Sequence, residues 1–232
     1  LSYGKKVSVS SSLEGYPAEN IVDEDARTAW VAQSNRDMEW AQVDLQRLSS
    51  IHAIQVNFDE YGANQKGAVS GVYQSYLIYA SVNGEDWSLV VDYGTKKTDT
   101  PHDYIEFEEP FKARYIKLQN KEYMVSENFS VRDLRIFGKG QGSTPRAVND
   151  FTVERDEADP CKARLCWEAV PDAQGYIVRY GIAGDKLYNN FQVMGENTLE
   201  IGSLNKGVAY YFTIDAYNEN GITRTSRIKV CR

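Results

Sequence analysis

The chain has 232 residues, 42% of them hydrophobic, enough for one large core or two small ones. A formal net charge of −7 argues against nucleic acid or an anionic membrane surface as partner, since either would repel the protein before contact. No apolar run approaches the roughly 20 residues that a membrane span needs, so no membrane insertion is expected, and with this charge a neutral ligand is the easier partner.

The opening LSYGKK has neither an initiator Met nor a signal-peptide core and reads as a piece of a longer chain. Next comes YPAENIVDE, where Pro17 suits a first helical turn and the only helix is expected. The runs AQVDL, IHAIQVNF, SYLIYASV, WSLVVDY, DYIEF, RYIKLQN and VRDLRIFG alternate apolar and polar residues and are bounded by turn signals such as Asn83-Gly84. They predict an antiparallel β-sandwich over residues 1–140. Residues 141–150, inside the Gly-, Ser- and Pro-bearing stretch GKGQGSTPRAVNDF, predict a linker. From 151 to 232 the rhythm resumes with FTVER, KARLCW, GYIVRYG, TLEIGSL and AYYFTIDAYN, a second and smaller sandwich. Tyr (16) outnumbers Phe (8), as expected where rings need one polar end.

The densest polar stretch is NIVDEDARTAW, residues 20–30. Adjacent carboxylates point in different directions, so Asp23, Glu24 and Asp25 make a poor acid/base pair. A hard cation such as Ca2+ takes carboxylate, hydroxyl and carbonyl oxygens from an irregular loop, and Asp23, Asp25 and Thr28 offer that mix. A plain acidic turn is the alternative. His52 and His102 have no nucleophile partner by motif and read as structural or solvated. No catalytic residue is expected in this chain.

Sugar binding needs an apolar face and nearby hydrogen-bonding groups. Trp30, Trp40, Trp87 and Trp167 all fall in structural contexts and are expected at or near the core. Ligand-binding residues are therefore expected on loops 32–39, 59–74 and 120–130. Tyr61, Tyr73, Tyr123 and Phe129 are the candidate platforms, and Asn35, Arg36, Asn64 and Asn128 the candidate hydroxyl binders. Packing against neighbouring residues is the alternative for each ring.

Six features in order, SVSSS, YPAENIVDEDARTAW, EWAQVDL, SVNGEDW, ARYIKL and RDLRIFG, resemble the discoidin or coagulation factor 5/8 type C superfamily, which includes family 32 carbohydrate-binding modules. The resemblance implies an all-β, galactose-binding-like sandwich. Gln46 departs from it, standing where the family usually has Gly. Aligned with the family's pattern, Asp23, Asp25 and Thr28 fall on cation-ligand positions and Asp133 joins them from the closing strand, implying structural Ca2+. Residues 151–232 resemble a fibronectin type III module, with Trp167 and Tyr176 in its core, Leu204 ahead of the YxFxIxAxN run, and Tyr210 at its tyrosine corner. In such a sandwich Cys161 and Cys231 lie at one pole and are expected to pair, leaving Cys166 free; three reduced thiols are the alternative.

The pair of domains resembles the accessory region of exported bacterial glycosidases of the xylosidase and arabinofuranosidase type. That implies a non-catalytic part binding a neutral glycan, an upstream catalytic domain in the same chain, and a periplasmic or extracellular location. The alternative is a structural or docking module that binds no sugar.

Overall fold

The computed structural model describes residues 1–63 and 71–232. The chain divides between Gln141 and Gly142 into two compact units, both almost wholly β.

The first unit holds β1 (Lys6–Val9), β2 (Trp30–Val31), β3 (Trp40–Phe58), β4 (Gln74–Ser81), β5 (Ser88–Tyr93), β6 (His102–Tyr123) and β7 (Ser130–Gly140), with one five-residue 3-10 helix, Ala18–Val22. Pro17 stands just ahead of that helix, whose buried residues are Ile21 and Val22. The strands run β2-β7-β3-β6-β4-β5, with β1 beside β3.

Two of these strands are each longer than the runs seen in the sequence. β3 joins AQVDL to IHAIQVNF, and β6 joins DYIEF to RYIKLQN, with a register break between Asp44 and Ser49. Before the break β3 pairs with β1, and beyond it with β7. Ala41, Val43 and Leu45 from one half share a core with Ile54, Val56 and Phe58 from the other. Both long strands therefore serve two facing layers, and the bulge lets a continuous chain turn from one to the other.

Gln46 sits in that bulge with φ 65°, a left-handed conformation in which Gly is at home. Asp44 Oδ1 accepts the Gln46 backbone N–H at 2.7 Å, and the same carboxylate takes two bonds from Arg114 at 2.8 and 2.9 Å. The turn forms with Gln in the Gly position because its neighbours hold it.

In the second unit β8 (Phe151–Arg155), β9 (Ala163–Trp167) and β12 (Thr198–Ile201) form one sheet. The other contains β10 (Gly175–Gly181), β11 (Asn189–Met194), β13 (Tyr210–Asn218), β14 (Gly221–Thr223) and β15 (Lys229–Cys231). Trp167, Tyr176, Leu204, Tyr210 and Phe212 share its core. Tyr210 buries its ring, and its hydroxyl oxygen accepts the Asn205 N–H from the preceding loop at 3.3 Å.

The expected Cys161–Cys231 bridge is not formed, and all three cysteines are unpaired. Cys161 lies exposed in the turn before β9, where its carbonyl accepts the Leu204 N–H. Cys231 faces the core, and burial pushes its thiol pKa up.

Candidate functional site

Two polar loops flank the short strand β2. In the first, the Asn20 amide donates to the Ala29 carbonyl at 2.8 Å and closes the base of the loop. Asp23 Oδ1 accepts the Asp25 N–H at 2.9 Å. Thr28 Oγ1 lies 2.8 Å from Asp23 Oδ2 and 2.9 Å from the Asp25 carbonyl oxygen. A hydroxyl has one proton to give, so one of those two oxygen contacts lacks a hydrogen at any moment. A small knot of oxygens of this kind suits a hard cation.

The other two expected ligands are engaged elsewhere. The Asp25 carboxylate receives Arg27 Nε at 2.9 Å and Nη2 at 2.8 Å, and those bonds lower its pKa to about 2. Asp133 is buried on β7, taking the Asn57 amide at 2.9 Å and Arg135 at 3.3 Å. Arg135 also pairs with Glu24 at 2.9 Å, so strand and loop are joined through a guanidinium. Among the described residues no three His, Cys, Asp or Glu side chains gather as a metal-binding group. The donors that do converge are Asp23, Thr28 and a main-chain carbonyl.

The second loop, residues 32–39, borders a groove of about 490 Å³ lined by Ser10, Ser11, Gln33, Ser34, Arg36, Asp37, Met38 and Glu39. Glu39 is its hub. One carboxylate oxygen accepts the hydroxyls of Ser10 and Ser11, and the other that of Ser34 at 2.7 Å. Burial works to raise the Glu39 pKa, but the three serine bonds and the charge of Arg36 outweigh it and hold the carboxyl below its ordinary value.

Amide side chains lash this loop to the segment after β6. Asn35 donates to the carbonyls of Tyr123 and Ser126, Asn120 to those of Asn35 and Arg36, and Asn128 to that of Ala32. The groove is thus built on a fixed base, with Arg36, Asp37 and Met38 exposed above it. Met38 is 63% exposed and has φ 83°, a backbone state that a non-glycine side chain seldom adopts.

These placements correct several expectations. Tyr123 (2% exposed) and Phe129 (0%) are core residues, because the end of β6 and the segment after it turn these rings inward onto Phe58 and Trp30. Asn35 and Asn128 spend their amides on carbonyls rather than offering them to a ligand. Tyr61 packs edge-on against Tyr16, and Tyr73 bonds Glu122 beneath Lys97; neither lines the groove. Asn64 lies outside the described residues. Of the expected hydroxyl binders among the described residues, only Arg36 borders the groove.

Among the tryptophans, Trp30 and Trp167 are buried, whereas Trp40 and Trp87 are half-exposed. Ser10, Ser11, Ser34 and Glu39 were not visible as a group, because the serines of β1's end lie 28 and 29 residues from the acid they serve. A sign for Trp40 was present. In W-A-Q-V-D-L it shares the outward phase of the alternation with Gln42 and Asp44.

The F5/8 type C domain family matches residues 6–133. Lactadherin of Rattus norvegicus is 33% identical over 110 residues, covering 44% of this chain and 25% of that protein. Lactadherin of Mus musculus is 32% identical over 110 residues, 44% of this chain and 23% of that protein. The chain thus spans about a quarter of the length of these curated relatives. Among solved structures, chitosan-binding module 2 of a chitosanase/glucanase from Paenibacillus sp. IK-5, in complex with chitotriose, superposes with TM-score 0.50 at 19% identity, covering 59% of this chain and 98% of that one. Module 1 of the same enzyme gives TM-score 0.50 at 20% identity, covering 59% and 97%. At such identities the likeness establishes the shared β-sandwich fold.

Proposed function

The chain belongs to the F5/8 type C domain family, and from that premise we propose that its first unit is a non-catalytic module binding a neutral glycan in the groove around Glu39. The observation that carries this reading is the groove itself. Serine hydroxyls, a glutamine amide, a guanidinium and a carboxylate kept ionised stand on a base locked by amide-to-carbonyl bonds. Sugar hydroxyls need donors and acceptors held in place, and pre-ordering reduces the entropy lost on binding. Arg36 donates, Glu39 accepts, and the Met38 thioether supplies an apolar contact. The shared fold with chitosan-binding modules supports a saccharide ligand, while its identity and charge are left to experiment.

On the same reading a structural cation such as Ca2+ would be held by Asp23, Thr28 and the Asp25 carbonyl, tying down the loop beside the groove. Residues 151–232 act as a fibronectin type III-like spacer. Their three-stranded and five-stranded sheets and the Tyr210 bond support that assignment. The whole would serve a secreted bacterial glycoside hydrolase of the xylosidase or arabinofuranosidase type, tethering its catalytic domain to substrate.

A glycan array and affinity gels test the groove. Wild type binds a neutral glycan, and Arg36→Ala weakens that binding about tenfold at unchanged melting temperature. Failure to bind any neutral glycan overturns the reading and leaves the docking alternative, which loss of stability in the catalytic domain on deleting this region would establish. For the cation, EDTA lowers the melting temperature of the first unit and Ca2+ restores it; a transition unmoved by either removes the ion.

A further inference from the structure

Beside the groove, the layer formed by β1, the first half of β3, the second half of β6, β4 and β5 presents an outward face. Its register is explicit: Trp40 stands opposite Gln119 and Gln42 opposite Lys117 on one side, while Leu77 and Tyr79 face the same two residues on the other. These side chains are half-exposed, except Gln119, which is nearly buried, whereas their strand neighbours Ala41, Val43, Leu118 and Ile78 fill the core. Around Lys117 the face carries rings and an amide, and its charged pair, Arg114 with Asp44, lies further along the strands.

Its centre is Lys117. The ammonium lies 4.0 Å from the Trp87 ring centroid and 5.3 Å from that of Tyr79. No carboxylate of the described residues pairs with it, and residues 64–70 contain no acid. Burial alone pushes its pKa down, with no opposing charge to hold it up. Two other basic side chains of this region have partners: Arg114 pairs with Asp44 and Lys121 with Asp37. A half-buried cation framed by ring faces is stabilised when an anion arrives, because the pair then forms where water screens it less.

We propose that this sheet face is a second ligand site, which takes an acidic saccharide with its carboxylate on Lys117 and a sugar ring face against Trp40. Two residues along a strand cover about 7 Å, so the diagonal from Lys117 to Trp40 spans the reach of neighbouring groups on one sugar chain. Gln42 lies beside both, half-exposed and with an amide suited to hydroxyls. The face is also continuous with the groove, since Gln119 Nε2 donates to the Met38 sulfur at 3.1 Å. A saccharide chain seated beside Met38 can extend onto it. That continuity alone rests on the groove reading; the lone cation and the rings do not.

Isothermal titration with a galacturonic acid oligosaccharide, and with the same oligosaccharide after reduction of its carboxylates to alcohols, tests the site. Wild type binds the acidic form more tightly, and the difference shrinks as salt is raised. Lys117→Met loses about tenfold toward the acidic form only, Lys117→Arg keeps the binding, and Trp40→Ala weakens both forms. Melting curves identify any variant that has lost its fold, in which case the salt dependence of the wild type and the Lys117→Arg variant carry the test. Equal affinity for the two forms, or a Lys117→Met variant that binds as wild type, overturns the proposal. Loss confined to Arg36→Ala overturns it in favour of the groove. Equal competition by an acidic peptide overturns the saccharide assignment. Lys117-dependent binding in a protein whose groove takes no neutral glycan sustains this site while the groove reading fails.

Discussion

The two loops on either side of β2 are alike in composition and opposite in construction. In residues 20–30 the polar groups are satisfied mostly within the loop, Asp23 by Asp25 and Thr28 and Asp25 by Arg27, with Glu24 reaching out to Arg135. In residues 32–39 they are satisfied mostly from far along the chain, Glu39 by Ser10 and Ser11 as well as its neighbour Ser34, and the loop's carbonyls by Asn120 and Asn128. A loop satisfied mostly by its own groups can be changed with less disturbance to the rest. A loop assembled from distant segments transmits any change to the core beneath it, and it is the one that forms a groove.

The largest expected effect falls on the core that supports both loops. Phe129 is fully buried, edge-on to Trp30 at 5.8 Å and to Tyr123 at 5.4 Å. Phe129→Ala should cost about 3–5 kcal/mol in urea unfolding. A variant as stable as wild type but unable to bind sugar would instead restore Phe129 to the role of platform. Asp133→Ala comes next, at about 2–3 kcal/mol, because it strands the Asn57 amide and one bond of Arg135 in the interior. Urea unfolding with Ca2+ and with EDTA should show the same loss, since this carboxylate serves protein groups.

Glu39 sharpens the contrast through pH. Its folded pKa lies below its unfolded value, so the folded state holds the charged form better. The associated stability is present above the unfolded pKa and is lost as pH falls through the folded one. Glu39→Gln should cost about 1 kcal/mol at neutral pH and flatten the acid limb of a stability-versus-pH curve. An unaltered acid limb would show that the serine bonds do not discriminate between the two forms.

The same contrast explains what could be read from the sequence. Alternation located nearly every long strand, and the Tyr210 bond followed from a local signature, because both depend on neighbours in the chain. Trp30 as filler was legible from the motif it ends. The Glu39 hub was not, since nothing in SVSSS indicates an acid 28 residues away. Asn35, Asn128, Tyr123 and Phe129 were selected for their chemistry, but whether an amide meets a sugar or a carbonyl, and whether a ring turns in or out, is decided by tertiary packing. Trp40 was misplaced for a different reason: its residue type suggested burial, while its phase in the strand indicated the surface.

The smallest effect concerns a turn that is local in the fullest sense. Gln46 holds φ 65° in the β3 bulge, with its N–H on the Asp44 carboxylate two residues back. Left-handed backbone costs a side-chain-bearing residue roughly 1–2 kcal/mol relative to Gly, while Gly gives up more freedom on folding, by roughly 0.5–1 kcal/mol. The two terms partly cancel, so Gln46→Gly should stabilise the first unit by less than about 1 kcal/mol. Because the Asp44 bond is made by the backbone, Gly retains it. Thermal melting should show a small rise in the first-unit transition and no change in glycan affinity. A fall would mean that the Gln46 side chain makes a stabilising contribution that outweighs its backbone strain.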